Sequence, residues 1–193
     1  MEDGRDSNFM HLIFKGELVD DYALEIVHRS PCQADPARFK IIATLGRPLG
    51  EVLPIIFLSQ PNSKYTRGES ASYTFQSHNI LVGHDGSVAV TYIKDDEEMD
   101  ALISRVIRTI NRAIVYNLTH RAPLDDLIEK KKALNPMTLY GHFKKLPEMD
   151  CGECGEKSCF GFAAKLYNGE RNARDCPHVD AAEIERELTP IKL

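Results

Sequence analysis

Between about Met10 and Ile93 the apolar residues come in short runs separated by polar and turn-forming residues, which is the pattern of strands of ordinary length. The runs are Met10 to Glu17, Ala23 to His28, Phe39 to Leu45, Val52 to Leu58 and Ser72 to Gln76. Pro54 has no N–H to give to a ladder, so the run from Val52 is expected as an edge strand or as one interrupted there. Two further runs between Ile80 and Ile93 flank Gly83-His84-Asp85-Gly86. Asp-Gly tolerates positive φ at both positions, so a tight two-residue hairpin is expected.

The period then changes from two to 3.6. Met99, Leu102, Ile103, Val106, Ile107, Ile110, Ala113, Ile114 and Leu118 recur at spacings of three and four and predict one long helix from Asp96 to Leu118. Asp95 can cap it with Glu98 three residues on, and the acids Asp95 to Glu98 suit the positive end of the helix dipole. Arg105, Arg108 and Arg112 fall off the apolar stripe and read as a solvated face. A second helix is expected with Pro123 in its first turn and its end before Pro136, with Leu124, Leu127 and Ile128 as contacts. Lys130-Lys131-Lys132 then sits in its last turns, where cations complement the dipole. From Asn135 onward the composition shifts to Gly, Cys and polar residues. Two modules follow from this, residues 1–135 and 136–193. The fold class expected is α+β: a mainly antiparallel sheet with the long helix on one face, plus a small C-terminal helical and loop module.

Charge narrows the partners. Twenty-four Lys and Arg against 29 Asp and Glu leave a net charge of -5, the wrong sign for a protein that lives on phosphate backbones. With 42% hydrophobic residues the chain can bury a core. Its first residues are acidic where a secretory signal would be basic, and no 18-residue apolar run follows. The expectations are therefore a soluble cytoplasmic protein, no membrane insertion and no nucleic-acid partner. In a reducing cytosol the thiols should be free or metal-bound rather than paired as disulfides.

Four of the five cysteines read Cys151-x2-Cys154-x4-Cys159-x16-Cys176. Gly152 and Gly155 allow the tight backbone that three nearby ligands need, and expose amides that can stabilise cluster sulfurs. Ser158 can cap a helix running to about Asn168, with Gly169 as its stop, which puts Cys159 at the positive end of a dipole. Four thiolates also suit a structural zinc ion, whose ligands usually come as two separated pairs. A local triplet and a distant Cys-Pro, here Cys176-Pro177, resemble cubane spacing more closely, so one [4Fe–4S] cluster is expected, with zinc as the alternative.

The stretch Leu146-Pro147-Glu148-Met149-Asp150-Cys151-Gly152-Glu153-Cys154-Gly155-Glu156-Lys157-Ser158-Cys159-Phe160-Gly161-Phe162-Ala163-Ala164-Lys165-Leu166, closed by Asp175-Cys176-Pro177, resembles the small [4Fe–4S] domain of corrinoid iron–sulfur protein large subunits. It is similar also to a module in the B subunit of Rnf-type electron-transport complexes. The resemblance implies Cys151, Cys154, Cys159 and Cys176 as ligands of a cluster that shuttles single electrons at low potential. It covers roughly residues 138–180 and does not extend to residues 1–135. Only 17 residues follow Cys176, so no corrinoid domain is expected in this chain.

Other residues carry weaker signals. Cys32 has no cysteine neighbour and reads as a small buried residue rather than a reactive thiol. His178 follows Cys176 by two and suits a hydrogen bond near the cluster. Gly46-Arg47-Pro48-Leu49-Gly50 and Tyr65-Thr66-Arg67-Gly68 lack a phosphate-loop signature and read as turns. His78 and His84, six apart, share a strand face and with Asp85 offer a metal site only if a further ligand joins them. No nucleophile–base or paired-carboxylate constellation argues for an enzyme. The function expected is electron transfer, or a redox accessory role, toward a partner with a basic docking face; the alternative is a regulatory module with a structural or sensory metal.

Overall fold

The computed structural model describes Val19 and residues 24–120, 122–147 and 149–193. Six strands form one sheet: β1 (Glu25–Pro31), β2 (Phe39–Thr44), β3 (Ser63–Thr66), β4 (Ser70–Phe75), β5 (His78–Gly83) and β6 (Ser87–Ile93), in the order β1-β2-β6-β5-β4-β3. The β1–β2, β2–β6, β6–β5 and β5–β4 ladders are antiparallel. Among the described residues the helices are α1 (Leu53–Ser59), α2 (Asp96–Thr119), α3 (Asp125–Lys132), α4 (Pro136–Phe143), α5 (Cys159–Tyr167) and α6 (Ala181–Leu188), with a 3₁₀ turn at Ala173–Asp175. The α+β class read from the sequence is the class observed.

The chain forms two compact units. The first takes in residues up to Ile56 and Tyr65–Ala122; the second takes in Phe57–Lys64 and Pro123–Lys192, so it includes α3 and a stretch of the N-terminal half as well as residues 136–192.

In the first unit the sheet register explains the burial. Ala43, Val88, Val82 and Ala71 form one row across four strands, and Ile41, Val90, Ile80 and Tyr73 form the next. All eight are buried. The row of opposite parity, Ile42, Ala89, Leu81 and Ser72, faces the other way, and its Ile42 and Leu81 are exposed. Helix α2 buries Leu102, Val106, Ile107, Ile110, Ala113 and Ile114, the core of the expected stripe, while Leu118 is exposed. Its N-cap is Asp95, whose carboxylate accepts from the Glu98 N–H at 2.9 Å. Asn111 is buried in the same helix because its side chain pairs with the Val19 backbone, accepting at 2.7 Å and donating at 2.7 Å. Arg105 is not a plainly solvated residue: its guanidinium stacks 3.6 Å from the Phe75 ring centroid.

Two expectations for the N-terminal half are corrected. The run from Val52 is not a strand; Leu53–Ser59 is helix α1, with Pro54 in the first turn, where a missing N–H costs nothing. Leu53, Ile55, Ile56, Phe57 and Leu58 are all buried, and an element buried all round shows neither the alternation of a strand nor the stripe of a helix. The β5–β6 loop holds three residues, not two. Gly86 donates to the Gly83 carbonyl at 3.1 Å and alone in that loop has positive φ, +90°. A Cβ there would stand 2.1 Å from the Arg47 carbonyl oxygen, so both space and backbone require glycine. Strand β3 and helices α4 and α6 lie outside the sequence reading, and the expected strand from Met10 to Glu17 lies outside the described residues.

The second unit has its own apolar core, built from Leu139, Phe143, Phe162, Ala163, Leu166, Ala173, Ile184 and Leu188 together with Cys159 and Cys176. Phe143 and Phe162 meet edge to face with centroids 5.5 Å apart. Helix α4 starts at a capping box of Asn135 and Thr138 with Pro136 in its first turn. Lys131 departs from its expected role as a solvated cation. It is buried, and its ammonium donates to the Phe57 and Gln60 carbonyls at the C-terminal end of α1. Burial pushes its pKa down to about 7. His142 of α4 lies between two carboxylates of α6, 3.1 Å from Glu187 and 3.8 Å from Glu183. No helix among the described residues is long and apolar enough to cross a membrane.

Candidate metal centre

Of the four clustered cysteines, Cys159 and Cys176 belong to the second unit's core and Cys154 packs against it. Asp150 opens the first cysteine loop with φ +57°, and Cys151 follows as an exposed residue. Gly152 and Gly155 then both take positive φ, +76° and +80°, and Gly155 donates to the Gly152 carbonyl at 2.9 Å. This tight turn carries the half-buried Cys154, which packs against the core. Both glycines thus have the backbone expected of them.

Cys159 is the first residue of α5. Ser158 caps that helix by accepting from the Gly161 N–H at 3.0 Å, and the helix ends as expected at Gly169, φ +74°. A reciprocal pair fixes Cys159 against the first cysteine loop: its N–H donates to Asp150 Oδ1 at 2.7 Å, and the Asp150 N–H points at Cys159 Sγ at 3.2 Å. Cys159 is 7% exposed and its thiol pKa is pushed up, first by burial and then by the nearby charges of Asp150 and Cys151, with the Asp150 amide acting the other way. Cys176 follows the 3₁₀ turn, which is closed by a capping box of Asn172 and Asp175, and is 6% exposed. Cys154, Cys159 and Cys176 therefore share one apolar cluster, with Cys151 on its solvent side.

Around these thiols stand charged residues that the sequence did not single out. Glu156, between Cys154 and Cys159, accepts from Lys165 Nζ at 2.8 Å on both oxygens, and on one of them from Arg171 Nε at 2.9 Å and Nη2 at 2.7 Å. The Lys165 and then the Arg171 hydrogen bonds hold its carboxyl below the ordinary range. Partners 9 and 15 residues away in sequence follow no helical or strand period, so no pattern announced them. His178 Nε2 donates to Glu153 at 3.0 Å, beside Cys151. Among the described residues, two groups of ligand atoms lie within 4.8 Å of one another: Cys151 with Glu153 and His178, and His142 with Glu183 and Glu187. Neither brings two of the cysteines together.

The remaining candidates stay apart from this site. Cys32 is buried in the first unit, where its sulfur accepts from the Tyr92 N–H at 3.4 Å. His78 is buried at one end of β5, against the Thr91 carbonyl and Glu98, while His84 is exposed at the other end. Asp85 turns instead to Ser87, accepting from its hydroxyl at 2.6 Å. Residues 46–50 form a bend that leads into a turn, as read, whereas Tyr65 and Thr66 end strand β3 and the turn begins only at Arg67.

The centre so described is that of an iron–sulfur domain: residues 146–178 match the family model described as "Putative Fe-S cluster". The chain is similar over this region to the gamma subunit of the acetyl-CoA decarbonylase/synthase complex of Methanopyrus kandleri, at 43% identity over 44 residues, 23% of this chain and 10% of that one. It is 40% identical over 50 residues to the corrinoid/iron-sulfur protein large subunit of Moorella thermoacetica, 26% of this chain and 11% of the relative. The gamma 1 subunit of Methanosarcina thermophila is 39% identical over 56 residues, 25% and 12% of the two chains. The chain thus spans about a tenth of the length of these relatives, and the resemblance to the corrinoid family read from the sequence stands for the C-terminal region alone. No solved structure matches.

Proposed function

We propose that the C-terminal region holds one [4Fe–4S] cluster on Cys151, Cys154, Cys159 and Cys176 and serves one-electron transfer to a partner enzyme. The observation that carries this reading is the joining of four cysteines in cubane-like order with an amide, that of Asp150, aimed at one of their sulfurs. Such amides lower the cost of adding negative charge to a cluster, which is the chemistry a bound cluster supplies: reversible uptake of a single electron. The burial of Cys159 and Cys176 keeps water from their sulfurs, while exposed Cys151 offers the side from which a partner's centre can be approached. The spacing of the thiols supports iron–sulfur over zinc. Zinc ligands usually come as two separated pairs, whereas here a local triplet, Cys151, Cys154 and Cys159, is joined by a distant Cys176-Pro177.

Residues 136–193 hold 8 Lys and Arg against 10 Asp and Glu. A [4Fe–4S]2+ core with four thiolates adds about two negative charges, so the partner presents a basic face. We read the protein as a cytoplasmic electron carrier or redox accessory. Anaerobic reconstitution followed by titration with a low-potential reductant tests this, and a cluster with no reversible one-electron step would sink it. One observation favours a second reading, in which the metal is structural or sensory: two of its ligands belong to the apolar core. Retention of function after exchange to a redox-inert metal would select that reading.

A further inference from the structure

We infer that Arg171, positioned by Glu156, is the charged group that sets the reduction potential of the cysteine centre by acting on Cys154. This rests on the cluster assignment proposed above and adds to it a residue outside the ligand set.

The geometry begins with Glu156. Its side chain is 10% exposed, and it sits in the loop that joins Cys154 to Cys159. Lys165 reaches it from α5, the helix that Cys159 begins, and Arg171 reaches it from the segment that leads back to Cys176. One carboxylate thereby ties together all three pieces of chain that bear the cysteines. Both Arg171 contacts fall on the same oxygen, Oε1, which fixes the plane of the guanidinium. Its Nη2 then lies 3.8 Å from the place a Cβ would occupy on Gly155, the residue after Cys154. That is ordinary contact distance, so the guanidinium adjoins the loop, and it is the φ of +80° that calls for glycine there.

Charge completes the argument. Two cations share one carboxylate, so the clamp carries one net positive charge beside the ligand loop. Reduction adds one electron to the centre and moves no other atom, and a positive charge held close to it favours the more negative state. The Arg171 side chain is 35% exposed and that of Lys165 44%, so the effect should weaken as ionic strength rises. Lys165 binds both Glu156 oxygens from α5, and it is the Arg171 guanidinium that comes within 4 Å of the Gly155 Cβ position.

The test is a potentiometric titration of the reconstituted full-length chain with dithionite, monitored by electron paramagnetic resonance, on the wild type, R171Q, R171K and E156Q. R171Q is expected to disfavour reduction about tenfold, a shift of about 59 mV to lower potential for one electron. R171K, which keeps the charge, should stay close to the wild type. E156Q, which releases Arg171 from its place, should lower the potential as R171Q does, whereas loss of a carboxylate alone would raise it. An unshifted R171Q, or an R171K displaced as far as R171Q, overturns the inference. If R171Q takes up no iron, E156Q decides: a lower potential supports the inference and an unchanged or higher one overturns it. A wild type that binds iron but shows no reversible couple refutes the electron-transfer reading itself, and so is told apart from a failure of Arg171 alone.

Discussion

Replacing Phe162 by Ala is the sharpest probe of whether the cysteine region owns a packed core. The ring is fully buried in α5, three residues after Cys159, and meets Phe143 of α4 edge to face at 5.5 Å. Truncating a buried Phe costs about 3 to 5 kcal/mol, including the cavity left behind, and an aromatic pair accounts for about 0.5 to 1.5 of it. Phe143 and Leu139 are themselves fully buried and have little freedom to close the gap, so a loss near 4 kcal/mol is expected. By the rule that about 1.4 kcal/mol is tenfold, this is close to a thousandfold fall in the protection of the slowest α5 amides. Hydrogen exchange read by mass spectrometry on peptides covering residues 136–143 and 159–167 measures it. F162L, which keeps most of the volume, should lose about 1 kcal/mol. A loss below about 1 kcal/mol for F162A would refute the packed core and return the region to one organised by metal alone.

Three further outcomes follow from the geometry. S158A removes the cap of α5 and should destabilise that helix by about 1 kcal/mol, seen as faster exchange of the Gly161 amide; an unchanged rate would exclude the cap. G86A should be far more damaging than G68A, although both glycines have positive φ, because only Gly86 faces a carbonyl oxygen while Gly68 faces open space. Equal urea midpoints for the two would contradict this. Lys131 has a lower proton affinity folded than unfolded, so the unfolded chain binds more protons between about pH 7 and the ordinary lysine value. Stability should therefore rise with pH across that window, and the rise should vanish in K131M; a parallel rise in both proteins would assign it elsewhere.

What the sequence made legible is what repeats with a period or sits at an end. The β2, β4, β5 and β6 runs, the stripe of α2 with Asp95 ahead of it, and α5 between Ser158 and Gly169 all announce themselves locally. Helix α1 did not, because burial on every side erases the contrast between faces. The hairpin loop was misjudged by one residue, since Asp-Gly also serves a three-residue loop in which only the glycine turns left-handed. For the site, the four cysteines could be read from spacing, but their supports could not. Asp150 meets Cys159 through its backbone, and Glu156 finds Arg171 across 15 residues. Lys131 finds the Phe57 carbonyl across 74, so a charge that looked solvated is enclosed.

The central claim, one cluster on these four cysteines, is tested most directly by iron and acid-labile sulfide counted on the anaerobically reconstituted protein and on its single Cys-to-Ser variants. The wild type and C32S should each hold about four iron and four sulfide per chain, and C151S, C154S, C159S and C176S should each lose the wild-type cluster. Stoichiometric zinc without sulfide, or an intact cluster in C176S, would contradict it.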